Sequence, residues 1–413
     1  GRIVTGYPGI QIESSSKSTV DIAVSEKKDG KKVLIDKTDD GGAYVMRYIT
    51  KSGLQTYESF ERFAFRYMQV TFRNCVKPIK IKKIYVKTVN YPVNENYYFK
   101  CSDKLLNKIW KTGAYTLKLC MQDGFEDCPS REQRQWVGDA YVQTLINYAA
   151  YGDYKLPRKL IYQVAQAQYS DGITPCAAPG DCVNRRVIIP DYCMSWIFSI
   201  NDYVIYSGDT KVIKDLYPNI KRAINWFERY IDEDSLLNNV PYWNFIDWAD
   251  LDKRGANTVY NCYFYKALQI AADFASFLNQ NEDREHFLKI AAEIKEAINK
   301  FLWDESRGLY VDSYFNGKRS SRVSQHSNTL PILYGITNKN KERIINKITN
   351  ENNLRLTKTL LTRPKEEFIE KKHIIKAQPF FHHFIHKALA KEGKYNLIMN
   401  NIRNYWGKML NSC

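Results

Sequence analysis

The sequence lacks most of the signatures that would point to the commoner chemistries. It has no CxxC pair, and its nine cysteines are odd in number and irregularly spaced. That argues against a disulfide framework and against a structural zinc site, and it sets the expectation of a reducing cytoplasm. No long uncharged apolar run is present, so no transmembrane helix and no membrane partner are expected. Gly-rich phosphate cradles and Ser nucleophile elbows are missing, which excludes the nucleotide-dependent and serine-hydrolase readings. The chain opens at Gly1 without a charged-then-apolar leader, as a processed product or a piece of something longer would.

What remains describes a soluble globular protein: 413 residues, 44% hydrophobic and 14% aromatic, long enough for one small and one large domain. The formal charge of +16 raises nucleic acid or an acidic polysaccharide as a partner. The basic residues are scattered instead of gathered on one segment, so the reading is a solvated basic surface with no nucleic-acid partner.

Two kinds of periodicity divide the chain. From Thr19 to Val89, short runs alternate with period two, as in Phe63-Ala64-Phe65-Arg66-Tyr67 and Ile79-Lys80-Ile81, between Lys-Asp-Gly and Asp-Asp-Gly-Gly turns. This predicts an antiparallel β-sandwich domain over residues 1–92, closed by Asn90-Tyr91-Pro92. Beyond residue 100 the period is helical. Ile213, Leu216, Tyr217, Ile220, Ala223, Ile224 and Phe227 form one stripe, and Phe264, Ala267, Leu268, Ala271, Phe274, Ala275 and Leu278 form another. With the segment from 287 to 301 and those near 102–121, 136–152, 153–169, 191–207, 323–350, 378–392 and 394–405, about eleven helices are expected. Long polar or aromatic loops, Gly172 to Pro190 and Val240 to Gly255, separate helix pairs. Without internal self-similarity an open solenoid is disfavoured, and the pattern predicts an (α/α)6 toroid over 93–413, one helix short at its C-terminal end.

The densest chemistry lies in Asp127 to Asp139, DCPSREQRQWVGD. Cleaving a glycosidic bond needs one protonated carboxyl for the leaving oxygen and a second carboxylate that acts on the anomeric carbon or on water. Asp127, Glu132 and Asp139 are candidates. Glu132 is the choice for the acid, because anions at Asp127 and Asp139 and the ring of Trp136 would resist its ionisation. Arg131 and Arg134 oppose that; either could bind sugar hydroxyls or tie down Asp127. Trp136 can stack on a pyranose, and Gly138 allows close approach of backbone or ligand. The bland alternative is a surface loop of solvated ion pairs anchored by Trp136.

This motif resembles the acidic signature of the glycoside hydrolase family 78 α-L-rhamnosidases of bacterial type, inverting enzymes with an (α/α)6 domain preceded by β-sandwiches. The resemblance extends to the FERFAFRYMQV stretch within Gly53 to Val70, to Ile189-Pro190-Asp191 with Trp196 and Tyr206-Ser207-Gly208-Asp209, to Asp234-Ser235-Leu236-Leu237 and Phe245-Ile246-Asp247-Trp248, and to Gln378-Pro379-Phe380-Phe381. It implies Glu132 as general acid, with Asp127, Arg131, Trp136, Asp139, Trp196, Asp247 and Trp248 as sugar-binding positions. Here the signature takes the REQRQW form, one residue shorter than RDERxGW. In the family a segment like Tyr405 to Leu410 precedes a Trp-Glu stretch carrying the general base, so the base is expected beyond Cys413 and a chain ending there should cleave rhamnose hardly at all.

Other signals are weaker. His382, His383 and His386 place imidazoles at i and i+4 on one helix face, but HxxxH without a third ligand favours hydrogen-bonded roles over metal. Asp232, Glu233 and Asp234 lack the spacing of a calcium loop. Tyr242, Trp243 and Trp248 are read as core or as sugar-stacking rings alike. The expected function is hydrolysis of terminal α-L-rhamnose from a glycoside or oligosaccharide, with no cofactor and no metal. The rivals are another six-hairpin glycosidase and a carbohydrate-binding protein that has lost turnover.

Overall fold

A computed structural model describes residues 2–35, 44–95, 98–357 and 373–411; the Asp-Asp-Gly-Gly turn read at 39–42 and the terminal Cys413 lie outside them. The chain forms two compact units, one of residues 1–98, 111–135 and 150–156, the other of 99–110, 136–149 and 157–413.

Among the described residues, nine strands belong to the first unit: β1 (Val4–Ser14), β2 (Thr19–Ser25), β3 (Lys28–Asp29), β4 (Lys32–Val33), β5 (Val45–Ile49), β6 (Gly53–Glu58), β7 (Phe63–Phe65), β8 (Tyr67–Arg73) and β9 (Lys80–Thr88). All their pairings are antiparallel. One sheet flanks β1 by β9 on one edge and by β6 and β7 on the other; a second runs β5-β2-β8. The period-two pattern explains the pairing of faces. Ile10 and Ile12 of β1 meet Val20 and Ile22 of β2 in one dry cluster, while Gln11 and Glu13 turn outward. Each such buried aliphatic side chain contributes roughly 1.5–3 kcal/mol.

The helices are α1 (Lys104–Leu119), α2 (Val137–Ala150), α3 (Lys155–Gln166), a four-residue α4 (Asp181–Asn184), α5 (Pro190–Ser207), α6 (Lys211–Glu228), α7 (Thr258–Phe277), α8 (Asn281–Phe301), α9 (Gln325–Leu333), α10 (Lys341–Thr349), α11 (His382–Lys391) and α12 (Tyr395–Asn411). The single segment expected over 323–350 is two helices, parted at Gly335, whose φ of 70° suits a helix end. In the second unit, α5, α7 and α9 are buried on nearly every face, whereas the intervening α6, α8 and α10 bury one stripe. That alternation of inner and outer helices is the packing of a six-hairpin toroid.

Loop placement follows from it. The long loop of 172–189 runs into α5 at Pro190, a residue suited to the first helical turn, and the loop of 240–255 runs into α7, capped by Asn257 on the Tyr260 amide. A third, ending in the turn Pro379–Phe381, enters α11. The N-termini of α5, α7 and α11 thus receive the aromatic and polar loops. Between α8 and α9 short strands appear that helical periodicity did not anticipate, among them Trp303–Asp304 paired with Leu309–Tyr310. Among the described residues no helix is long and apolar enough to cross a membrane.

Candidate active site

The acidic motif begins in the first unit, on a loop tied to itself and to the sheets. The Arg134 amide donates to Asp127 Oδ1 at 3.1 Å, and the Asp127 amide donates to the Arg134 carbonyl at 3.0 Å, so residues 127–134 close a loop. Within it the Cys128 thiol donates to Asp127 Oδ2 at 3.1 Å, and Gln133, held at a φ of 52°, donates to the Pro129 carbonyl at 2.8 Å. From the strand side, the Tyr44 hydroxyl donates to the Ser130 carbonyl at 2.7 Å, and the Ser130 hydroxyl donates to Glu26 at 2.8 Å. Glu132 sits at the tip with a side chain 25% exposed, its carboxylate 3.0 Å from the Arg131 guanidinium. Below the loop, Glu126 pairs with Arg62. Glu126, which the motif reading passed over, is a carboxyl that burial lifts to about 7 against the opposing Arg62 charge.

The remaining candidates lie in the second unit, where Tyr192 of α5 links them. Its hydroxyl donates to Asp139 Oδ2 at 2.9 Å, and its ring meets Trp136 edge-on at 6.4 Å and Phe245 at 5.8 Å. Gly138 is explained by the same ring: a Cβ there would fall 2.2 Å from a Tyr192 carbon. Phe245 in turn packs against Trp248 at 5.0 Å and Trp243 at 5.6 Å. The outer two indoles are each 41% exposed, while Phe245 behind them is buried. The result is a platform of two accessible indoles on a buried aromatic base, suited to the apolar face of a sugar.

The backbone that carries the platform is strained and firmly held. Ile246 adopts a φ of 59°, a left-handed conformation that costs a β-branched residue about 1–3 kcal/mol. Its amide donates to Asp191 Oδ2 at 3.0 Å, and Asp191 Oδ1 accepts from the Tyr260 hydroxyl at 2.6 Å. The buried Asp247 carboxylate accepts from the Trp248 amide at 2.7 Å, from the Gln378 amide at 2.9 Å and from His326 Nε2 at 2.7 Å. Burial pushes the Asp191 carboxyl up and the neighbouring Lys253 ammonium down.

Two sequence-based expectations are corrected by this geometry. Trp196 is 0% exposed and donates its indole N–H to the Ile161 carbonyl at 2.9 Å, so it is a core anchor of α5 with no face for a sugar. Asp247 is also buried, and both its oxygens are engaged by the protein, so its carboxylate is spent on shaping the aromatic loop. The residues that sequence reasoning missed are Tyr192, Phe245 as the platform's base, Asp191 as a clamp, and His326. Asp191 stood within a quoted triplet without a role; nothing in the string around His326 distinguishes it.

Of the three histidines of α11, His382 is buried and His383 and His386 are partly so, and burial pushes all three imidazoles below their ordinary value. His382 Nδ1 and His386 Nε2 both approach Asn401 Oδ1, at 2.9 and 2.8 Å, and His383 packs edge-on against Tyr141. Burial pushes His383 down to about 3. Among the described residues no group of three or more His, Cys, Asp or Glu could hold a metal ion. A cavity of about 800 Å³ lies beside α10, α11 and α12, lined by Glu351, Lys376, His382, Asn401 and Tyr405 among others; none of the predicted site residues lines it.

The comparisons with known proteins bear on the family and the fold. Residues 94–411 match the bacterial alpha-L-rhamnosidase six-hairpin glycosidase domain. The chain is 24% identical over 351 residues to an alpha-L-rhamnosidase of Formosa agariphila, which covers 76% of this chain and 36% of that protein. Among solved structures, the GH78 family rhamnosidase of Bacillus sp. GL1 aligns with a TM-score of 0.87 and 28% identity, over 99% of this chain and 41% of its own. A Klebsiella oxytoca rhamnosidase with rhamnose bound aligns with a TM-score of 0.79 and 19% identity, over 100% of this chain and 78% of its own. The chain spans less than half the length of the Formosa and Bacillus proteins. With antiparallel sheets first, a six-hairpin helical domain after them and the family match over residues 94–411, the chain belongs to the bacterial α-L-rhamnosidase six-hairpin glycosidase family.

Proposed function

We propose that this chain carries the sugar-cleaving site of an α-L-rhamnosidase, which hydrolyses terminal non-reducing α-L-rhamnose from a glycoside or oligosaccharide by a single displacement with inversion. Glu132 is the general acid. Asp127, Arg131 and Asp139 hold the sugar hydroxyls, and Trp136 and Trp248 pack on its apolar surface. What carries the reading is the Asp127–Asp139 motif within a family match that spans residues 94–411.

The three carboxylates are engaged differently, and that supports the division of labour. Asp127 accepts from a backbone amide and Asp139 from a buried phenol, which suits fixed acceptors for hydroxyl groups. Glu132 stands at the loop tip beside the partly exposed Arg131, where it can reach a glycosidic oxygen. Single displacement also requires a second carboxylate about 6.5–9.5 Å from the acid, with water between them. None of the residues above is given that part.

The test is hydrolysis of p-nitrophenyl α-L-rhamnopyranoside by the native protein, within a panel of aryl glycosides of other deoxysugars and uronides. Rhamnoside preference with β-L-rhamnose as the first-formed product in proton NMR is expected. Retention of configuration would remove the inverting mechanism, and preference for another glycoside would transfer the chain to a different six-hairpin activity. Rhamnose binding without turnover would favour the carbohydrate-binding alternative.

A further inference from the structure

We propose that His326 is a positioning residue for the sugar platform, acting through Asp247 and seconded by Asp191; this rests on the reading of Trp248 as a sugar-facing ring. His326 lies in α9, fully buried, and is remote in sequence from every motif residue. Its Nε2 donates to Asp247 Oδ2, the oxygen that also receives the Gln378 amide, while Asp247 Oδ1 receives the Trp248 amide. One carboxylate therefore joins three segments: the aromatic loop, the turn before α11, and α9. Asp191 holds the preceding residue by the Ile246 amide, in the conformation that Ile246 would not adopt unaided.

The chemistry of His326 argues against a packing role alone. Its Nδ1 is buried with no hydrogen-bond partner among the described residues, and its ring lies 4.2 Å from that of Phe381. An aliphatic side chain in that place would remove an unsatisfied polar atom from the interior. What only the imidazole supplies is the Nε2 donor to Asp247. Without it the carboxylate keeps two amide donors and loses the link to α9, and the turn carrying Trp248 gains freedom.

The test uses the native enzyme with two independent readouts. The first is acrylamide quenching of Trp248, taken as the difference between each protein and its W248F counterpart; the second is kcat/KM on an aryl rhamnoside. H326L is expected to raise the quenching and to lower kcat/KM roughly ten- to hundredfold, as small misplacements do. H326Q, which keeps a donor at the same reach, restores both, and H326L adds nothing once Trp248 is already replaced by alanine. Y260F, which removes only the hydroxyl bond to Asp191, serves if H326L fails to fold, and it moves both readouts in the same direction by less. Unchanged quenching in H326L or Y260F overturns the proposal, as does an H326L loss equally large in the W248A background. A wild-type protein inert toward rhamnosides that still shows the quenching response upholds the clamp and rejects the functional reading alone.

Discussion

The acid loop and the aromatic loop are both irregular segments leading into helices, yet the first is closed in part by its own backbone while the second is held by buried carboxylates and distant partners. Asp127 is fixed by an amide seven residues away and the Glu132 amide donates to a sulfur four residues away, while Ser130 between them is tied to the strand side through Tyr44 and Glu26. The aromatic loop depends on partners 55, 79 and 131 residues distant, at Asp191, His326 and Gln378. A locally closed loop can carry a reactive side chain at an accessible tip with little consequence for the rest of the fold. A loop fixed by buried carboxylates shares its hydrogen bonds with the core, so its geometry and the stability of the second unit are one matter. Function and stability should therefore separate cleanly in the first loop and poorly in the second.

The largest effect is expected from E132Q. Loss of a general acid lowers kcat on rhamnosides by roughly 10²–10⁴, least where the aglycone is a good leaving group. Because Glu132 is a partly exposed tip residue, its replacement should leave the urea midpoint almost unmoved, within about 0.5 kcal/mol. An E132Q protein with near-native kcat on a poor leaving group would end the assignment of the acid. Asp247→Ala is the counterpart. It strands His326 and two buried amides, and such losses cost about 3–5 kcal/mol, read as a shift in the urea midpoint. If D247A is as stable as the parent, the contrast between the loops fails.

The same contrast decides what could be read from the sequence. The sandwich was legible because alternation in Ile10-Gln11-Ile12-Glu13 and Val20-Asp21-Ile22 is a property of consecutive residues. The helical part was legible for the same reason, and so was the loop of 127–134 that enters a helix, because its residues fall within one contiguous string. Asp247 and Trp196 were misplaced because burial depends on neighbours brought in from elsewhere. An Asp beside two tryptophans reads as a ligand contact until His326 and Gln378 are seen to occupy it, and a Trp in a helix reads as a stacking ring until Ile161 takes its N–H. The short strands after Trp303 were invisible because each spans only two or three residues.

Trp196 and Trp248 test that lesson on one residue type. Replacing the fully buried Trp196 by alanine leaves a large cavity in α5 and should cost about 3–5 kcal/mol in urea unfolding. Replacing Trp248, whose indole is half open to solvent, should cost far less stability and instead weaken rhamnose binding, by about 0.5–1.5 kcal/mol if the ring stacks on the sugar. Titration calorimetry with L-rhamnose reads the second quantity. Equal stability losses in W196A and W248A would mean that the exposed ring is as deeply structural as the buried one.

The effects of pH are graded and not all-or-none, and the two regions should respond with opposite sign. Beneath the acid loop, Glu126 has a folded value of about 7 against an ordinary 4.5, so between these values the folded state binds the extra proton. Stability then falls as pH rises from about 4.5 to 7, by about 1–2 kcal/mol once solvent screening is allowed for. On α11, behind the turn that Asp247 secures, His383 has a folded value of about 3 against an ordinary 6.5, so the unfolded state binds the extra proton. Stability then falls as pH drops below 6.5, by about 2 kcal/mol at pH 5. Urea midpoints across pH 5 to 8 should therefore tilt one way in E126Q and the other in H383L, relative to the parent. The His383 slope should be the steeper, because its edge-on packing against Tyr141 offers a proton no partner. Slopes of the same sign in both variants would mean that the buried carboxyl beneath the acid loop and the imidazole on α11 do not carry opposite proton balances on folding.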